Sequence, residues 1–176
     1  MNKKRRTVAE RIALVGIMAA FLEAAKLALA ALPNIEAVTL LVAVFSYSFG
    51  TLGFIATAVF VAIEPLIWGF GTWFISYLIY WPALSLLFIL LGKLGVRRIV
   101  TVTIAALVMT ALFGVLSSFV DVGIFSGSYE NLLSRFAIYY TRGVPFYLAQ
   151  LITNLVLFPT LFKPLTKRAS IIRKKL

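Results

Sequence analysis

The sequence predicts an all-α integral membrane protein: one domain over residues 1–176, a six-transmembrane-helix bundle with the N- and C-termini cytoplasmic. Three observations carry this expectation. The chain is 62% hydrophobic and 13% charged, with a mean hydropathy of +1.02, whereas soluble domains are about a quarter charged. Its apolar residues fall into six runs, separated by breaks that hold proline, glycine or charge. Finally, 14 of its 17 Lys and Arg lie in three clusters: Lys3, Lys4, Arg5, Arg6 and Arg11; Lys93, Arg97 and Arg98; Lys163, Lys167, Arg168, Arg173, Lys174 and Lys175. Basic residues beside spans are retained in the cytoplasm. Six spans place all three clusters on that side, whereas five would send a basic tail outward.

The six runs follow in order. The first, about 12–32, ends at Pro33-Asn34, a helix breaker and turn former. The second, about 37–49, stops at Gly50, and the third, about 52–67, contains Glu64-Pro65 and ends in Trp68-Gly69-Phe70-Gly71-Thr72-Trp73. Both are short for upright spans, which a tilted, thinned or re-entrant arrangement accommodates. The fourth, about 74–91, ends at Gly92-Lys93, the fifth covers about 99–120 and the sixth about 144–162. Residues 1–11 and 164–176 are expected to be basic cytoplasmic tails, and 121–142 an extracellular loop that acts as a lid or simply lies solvated on the bundle. Ala28-Leu29-Ala30 has the form of a signal-peptide cleavage site, but the run before it is long for an h-region and is interrupted by Glu23 and Lys26. It is therefore expected to stay as a span.

A net charge of +11 and a pI near 10.3 would often imply nucleic acid. Here the charge flanks apolar runs, so it is expected to set topology and to meet anionic membrane lipid, with no nucleic-acid partner. Cysteine and histidine are absent. That removes disulfides, thiol chemistry, the commonest metal ligand and the commonest general base. No metal, cofactor or enzymatic activity is expected, and no P-loop, H-E-x-x-H or G-x-S-x-G motif occurs. No internal repeat of the kind that builds many secondary transporters is visible.

Two features carry functional content. On the first run Gly16, Ala20, Ala24 and Ala28 recur every four residues, with Ala9 and Ala13 on a neighbouring stripe. Small residues let helix backbones approach closely in lipid. The stripe serves either internal packing or the docking of a second membrane subunit. The other feature is polarity inside the membrane. Glu23 and Lys26 stand three apart, so they either neutralise each other or meet a ligand. Lys26, Glu36, Glu64, Trp68, Trp73 and Tyr77 all fall in the outer half of the bundle and form the candidate substrate site. The tryptophans also suit an interfacial aromatic belt. Gly69 and Gly71 would allow a folded cap over a pocket. Pro65 either kinks the third span beside Glu64 or starts a short helical segment.

The six basic-flanked spans, the Ala20-x-x-x-Ala24-x-x-x-Ala28 stripe with Ala9-x-x-x-Ala13 below it, the run Pro33-Asn34-Ile35-Glu36-Ala37-Val38-Thr39-Leu40-Leu41, the segment Tyr80-Trp81-Pro82 and the ending Asn154-Leu155-Val156-Leu157-Phe158-Pro159 resemble the substrate-binding S components of energy-coupling factor (ECF) transporters, the vitamin-uptake branch of ABC transporters. The resemblance covers nearly the whole chain. It implies capture of a vitamin-like small molecule at the outer face of a prokaryotic cell membrane. It also implies docking on a transmembrane coupling subunit through the small-residue stripe, and transport driven by two ATPase subunits. Rod-shape-determining membrane scaffolds of cell-wall synthesis are of similar size and fold, and an ion-coupled carrier using Glu23 or Glu64 is a third reading. Aromatic residues beside both signs of charge suit a planar, partly polar ligand such as a pyrimidine, pteridine or corrin derivative.

Overall fold

The computed structural model describes residues 7–125 and 130–175. Among these, six helices and no strand are present: α1 (Val8–Leu29), α2 (Val38–Phe49), α3 (Thr51–Trp68), α4 (Thr72–Lys93), α5 (Ile99–Phe125) and α6 (Leu132–Lys175). Five are long and apolar enough to cross a membrane, and α2 is a shorter apolar helix. An all-helical bundle fits a solvent without water, because each helix satisfies its own backbone hydrogen bonds.

Helix bounds differ from the sequence reading where polar residues find partners. The N-terminal tail was expected to reach residue 11, but α1 starts at Val8. There Thr7 and Glu10 form a capping box: the Glu10 N–H donates to Thr7 Oγ1, and the Thr7 N–H donates to the Glu10 carboxylate at 2.8 Å. The loop expected at 121–142 is largely helix. α5 runs on to Phe125 and α6 begins at Leu132, and side chains of this stretch join the two helices. Tyr139 donates to Asp121 at 2.9 Å, and Phe119, Phe136, Tyr140 and Tyr147 form a ladder of rings with successive centroids 4.4, 5.7 and 5.4 Å apart. Tyr129, counted with that loop, lies outside the described residues, as do the basic residues Lys3, Lys4, Arg5 and Arg6. The C-terminal tail expected at 164–176 is also helical as far as Lys175. Pro65 sits in the last turn of α3, inside the helix, and is no start of a separate segment.

The core forms around α2. Val38, Leu40, Val42, Ala43 and Val44 are all buried, and the helix touches each of the other five. A helix apolar on every side belongs in the middle of a bundle. Gly50, at φ +61°, turns the chain directly into α3, and Gly53 lets the two helices close up. A Cβ there would lie 2.5 Å from the Phe45 carbonyl oxygen. Buried Ser46 and Ser85 hydroxyls, 2.7 Å apart, join α2 to α4.

The bundle has two distinct ends. At one, Arg173 of α6 donates to the Ser48 carbonyl at 2.9 Å, and Tyr47 donates to the Val96 carbonyl in the α4–α5 connection at 2.9 Å. The α2–α3 turn, the connection with Lys93, Arg97 and Arg98, and the basic end of α6 therefore share that end, together with the start of α1. At the other end lie the segment 30–37 and the turn 69–71. Phe70 and Leu94 mark opposite ends and are 77% and 68% exposed. In sealed cells a membrane-impermeant thiol reagent should label Phe70→Cys and spare Leu94→Cys, since the chain has no cysteine of its own. Labelling of both, or of Leu94→Cys alone, contradicts a cytoplasmic basic end.

Candidate functional site

Because α2 starts only at Val38, a cavity of about 190 Å³ remains between its N-terminus and the end of the bundle away from the basic clusters. The segment 30–37 roofs it, with Leu32, Pro33, Asn34, Ile35 and Glu36 among the lining residues. Asn34 takes φ +57°, a conformation that asparagine tolerates better than most residues, and so bends the roof back over the helix. The walls come from Lys26 of α1, Tyr77, Tyr80 and Trp81 of α4, Thr110 and Phe113 of α5, and Gln150 of α6.

Glu36 is the most firmly placed polar group. Its Oε2 accepts the Thr39 N–H at 2.8 Å, so it caps the first turn of α2, where a negative charge is favoured. Its Oε1 accepts from Asn154 Nδ2 at 3.1 Å, and the same amide donates to Thr110 Oγ1 at 3.1 Å. Asn154 is fully buried, so α5, α6 and the roof segment are tied together at one side chain.

Lys26 is the second polar centre. Its ammonium pairs with Glu64 Oε2 on α3 and approaches Tyr77 Oη at 3.4 Å. The Trp68, Trp73 and Tyr77 ring centroids lie 5.4, 5.8 and 5.0 Å from Nζ, within cation–π range. Tyr77 and Tyr80 both pack edge-on to Trp81, at 5.5 and 4.8 Å, and Tyr80 meets Phe113 at 4.8 Å. Among the described residues, Trp81 Nε1, Gln150 Oε1 and Asn154 Oδ1 are buried here without a hydrogen-bond partner.

Of the six candidate residues, the structure puts Lys26, Glu36 and Tyr77 on the cavity wall. Glu64 is fully buried behind Lys26, while Trp68 and Trp73 flank that lysine away from the wall. The Glu23–Lys26 pair expected along α1 is not formed. Glu23 turns into the bundle, where its carboxyl group lies against that of Glu64, whereas Lys26 reaches across to α3 to pair with Glu64. The Gly69–Gly71 cap is likewise not formed over the cavity. Gly69, at φ +78°, makes a tight α3–α4 turn, and the roof is 30–37. No described residue of 121–142 lines the cavity. Sequence reasoning missed Thr39, Thr110, Phe113 and Gln150 as wall residues. Of these only Gln150 carried a signal, a polar residue inside an apolar run that stands four from Asn154 on one face of α6.

Ala9, Ala13, Gly16, Ala20, Ala24 and Ala28 all lie on the exposed side of α1, so the stripe does not pack inside the bundle. A Cβ at Gly16 would touch nothing within 4 Å. Among the described residues no cluster of acidic, His or Cys side chains has the makings of a metal site. No family model, curated protein or solved structure matches the chain.

The Lys26–Glu64 pair makes a clear stability prediction. Removing one partner strands the other charge in a buried site, which typically costs about 3–5 kcal/mol, whereas removing both is far milder. In detergent unfolding, Lys26→Met should therefore destabilise strongly and Lys26→Met with Glu64→Gln should recover most of the loss. A double variant as unstable as the single would mean that the pair does not hold α1 to α3.

Proposed function

We propose that the chain is the substrate-capturing membrane subunit of an ECF-type importer for a vitamin or related micronutrient, working in a prokaryotic cell membrane. The observation that carries this reading is the roofed, aromatic-walled cavity at the end opposite the basic clusters. It concentrates polar groups where an apolar bundle has no structural need of them, and polar groups inside a membrane protein mark ligand or ion paths. With the basic end in the cytoplasm, the cavity lies toward the outer face, where an importer meets its substrate.

The exposed small-residue stripe supports a second part of the reading. Ile12, Ile17 and Phe21 stand exposed beside Gly16 and Ala20, so α1 offers a shallow groove between bulky apolar ridges. We assign this face to the transmembrane coupling subunit, which would bring two ATPases to a chain that carries no nucleotide-binding motif of its own. Ala24→Trp should weaken assembly with such a module severalfold while leaving ligand binding by the isolated subunit intact. Assembly unaffected by the substitution would move docking to another face.

Native mass spectrometry of the purified protein tests capture directly, with a stoichiometric small organic molecule as the expected result. An ion-coupled carrier is the second reading, and it draws on one observation, the buried Glu23 carboxyl group set against that of Glu64. Uptake by cells lacking any coupling subunit or ATPase module, abolished by a protonophore and by Glu23→Gln, would replace the importer reading with the carrier.

A further inference from the structure

We propose that the cavity above α2 selects a small planar organic cation, a ring bearing an amidine-like pair of N–H donors, and that Glu36 is the residue that selects it. The inference rests on the capture reading above and names the class of its substrate.

The first ground is the way Glu36 is held. A carboxylate has roughly four acceptor positions on its two oxygens. The Thr39 N–H takes one on Oε2 and Asn154 Nδ2 takes one on Oε1, so each oxygen keeps an acceptor position. Two acceptors fixed side by side match a planar pair of N–H donors, the geometry that carboxylates use with guanidinium groups. The Asn154 amide is itself fixed, since its Nδ2 donates to both Glu36 and Thr110. The carboxylate is therefore presented in one orientation before any ligand arrives.

Charge gives the second ground. Among the described residues Lys26 is the only basic one on the cavity wall, and it is committed to Glu64. Glu36 makes no ion pair among the described residues, and Glu23 adds a further buried carboxyl group beside Lys26 and Glu64. The N-terminus of α2, which would otherwise attract an anion, is already occupied by the Glu36 side chain. An anionic ligand would meet a carboxylate there, whereas a cation would neutralise one.

The third ground is the wall. Tyr77, Tyr80, Trp81 and Phe113 surround the cavity with aromatic rings, which suit both a flat ring and a positive charge. Two buried polar atoms on wall residues await partners: the Gln150 carbonyl oxygen for a further donor, and the Trp81 indole N–H for an acceptor on the ring. Trp81 is itself 6% exposed, so its N–H has no access to bulk water. Size sets a limit as well. A cavity of about 150 Å³ admits benzene. The 190 Å³ here takes one ring with short substituents.

Three probes of nearly one shape test the class: benzamidine, benzamide and benzoate. Each is titrated against purified protein in detergent, read by tryptophan fluorescence and by the shift in thermal unfolding. Benzamidine should bind about 2- to 30-fold more tightly than benzamide, the range expected for a charge-assisted hydrogen bond over a neutral one. Benzoate should bind weakest, and Glu36→Gln should bring benzamidine and benzamide together. The wild-type comparison stands even if that variant fails to fold. Equal or tighter binding of benzamide or benzoate overturns the proposal, as does binding of none of the three. A neutral or anionic molecule retained through purification also overturns it, while leaving capture itself in place. Absence of both a retained molecule and any probe binding removes the capture reading too.

Discussion

The length of α2 is the constraint on which the rest of the molecule depends. Twelve helical residues reach about 18 Å, against a hydrocarbon layer of about 30 Å. The helix is enclosed by all five others, so the missing depth is not lipid but space within protein. At the basic end the shortfall is closed by the tight Gly50 turn. At the other end it is left open, and the cavity is what remains. The segment 30–37 tolerates its irregular backbone there because irregular backbone at membrane depth is stable only beside protein or a water-lined cavity.

From that space follows the distribution of polar groups. In an apolar bundle each buried polar atom needs a partner or a purpose. Ser46 with Ser85 and the threonines that donate to carbonyls one turn earlier are satisfied locally. The groups around the cavity are not of this kind. Glu36, Asn154 and Thr110 form a chain that spans three segments of the protein, and Lys26 crosses from α1 to α3. These long-range links fix the cavity walls relative to one another, which is a requirement for any site that must recognise a ligand without first reorganising.

Much of the architecture was legible in the sequence because hydropathy and charge act over whole helices. Six apolar runs became six helices, and the described basic clusters gather at one end. What failed were the details that depend on neighbours distant in sequence. The stretch 121–142 reads as a polar loop until Tyr139 is seen to meet Asp121 and Phe136 to stack on Phe119. Lys26 reads as the partner of Glu23 by helical spacing, yet a residue 38 positions away takes it. Half of the candidate site residues were placed on the cavity wall because polarity in a span is conspicuous. The wall residues that were missed, Thr39, Thr110 and Phe113, are of types too common in spans to stand out.

The arrangement of α1 bears on how capture would connect to transport. Its backbone approaches only α2 and α3, with Met18, Ala19, Leu22 and Glu23 turned inward and the small-residue stripe turned out. Lys26 and Leu29 bring this outer helix to the cavity, and the Lys26 ammonium pairs with Glu64 and approaches Tyr77. Any displacement of α1 by a protein seated on the stripe would therefore be felt at the cavity through Lys26, Leu29 and the roof segment that follows them. The energetics favour such a route. A buried pair is costly to break by halves, so α1 has a defined resting position. The few other contacts it makes leave it the helix that a partner can most readily move. Under the proposed function, docking on one face of α1 and release of a ligand on the other are then two ends of a single short lever.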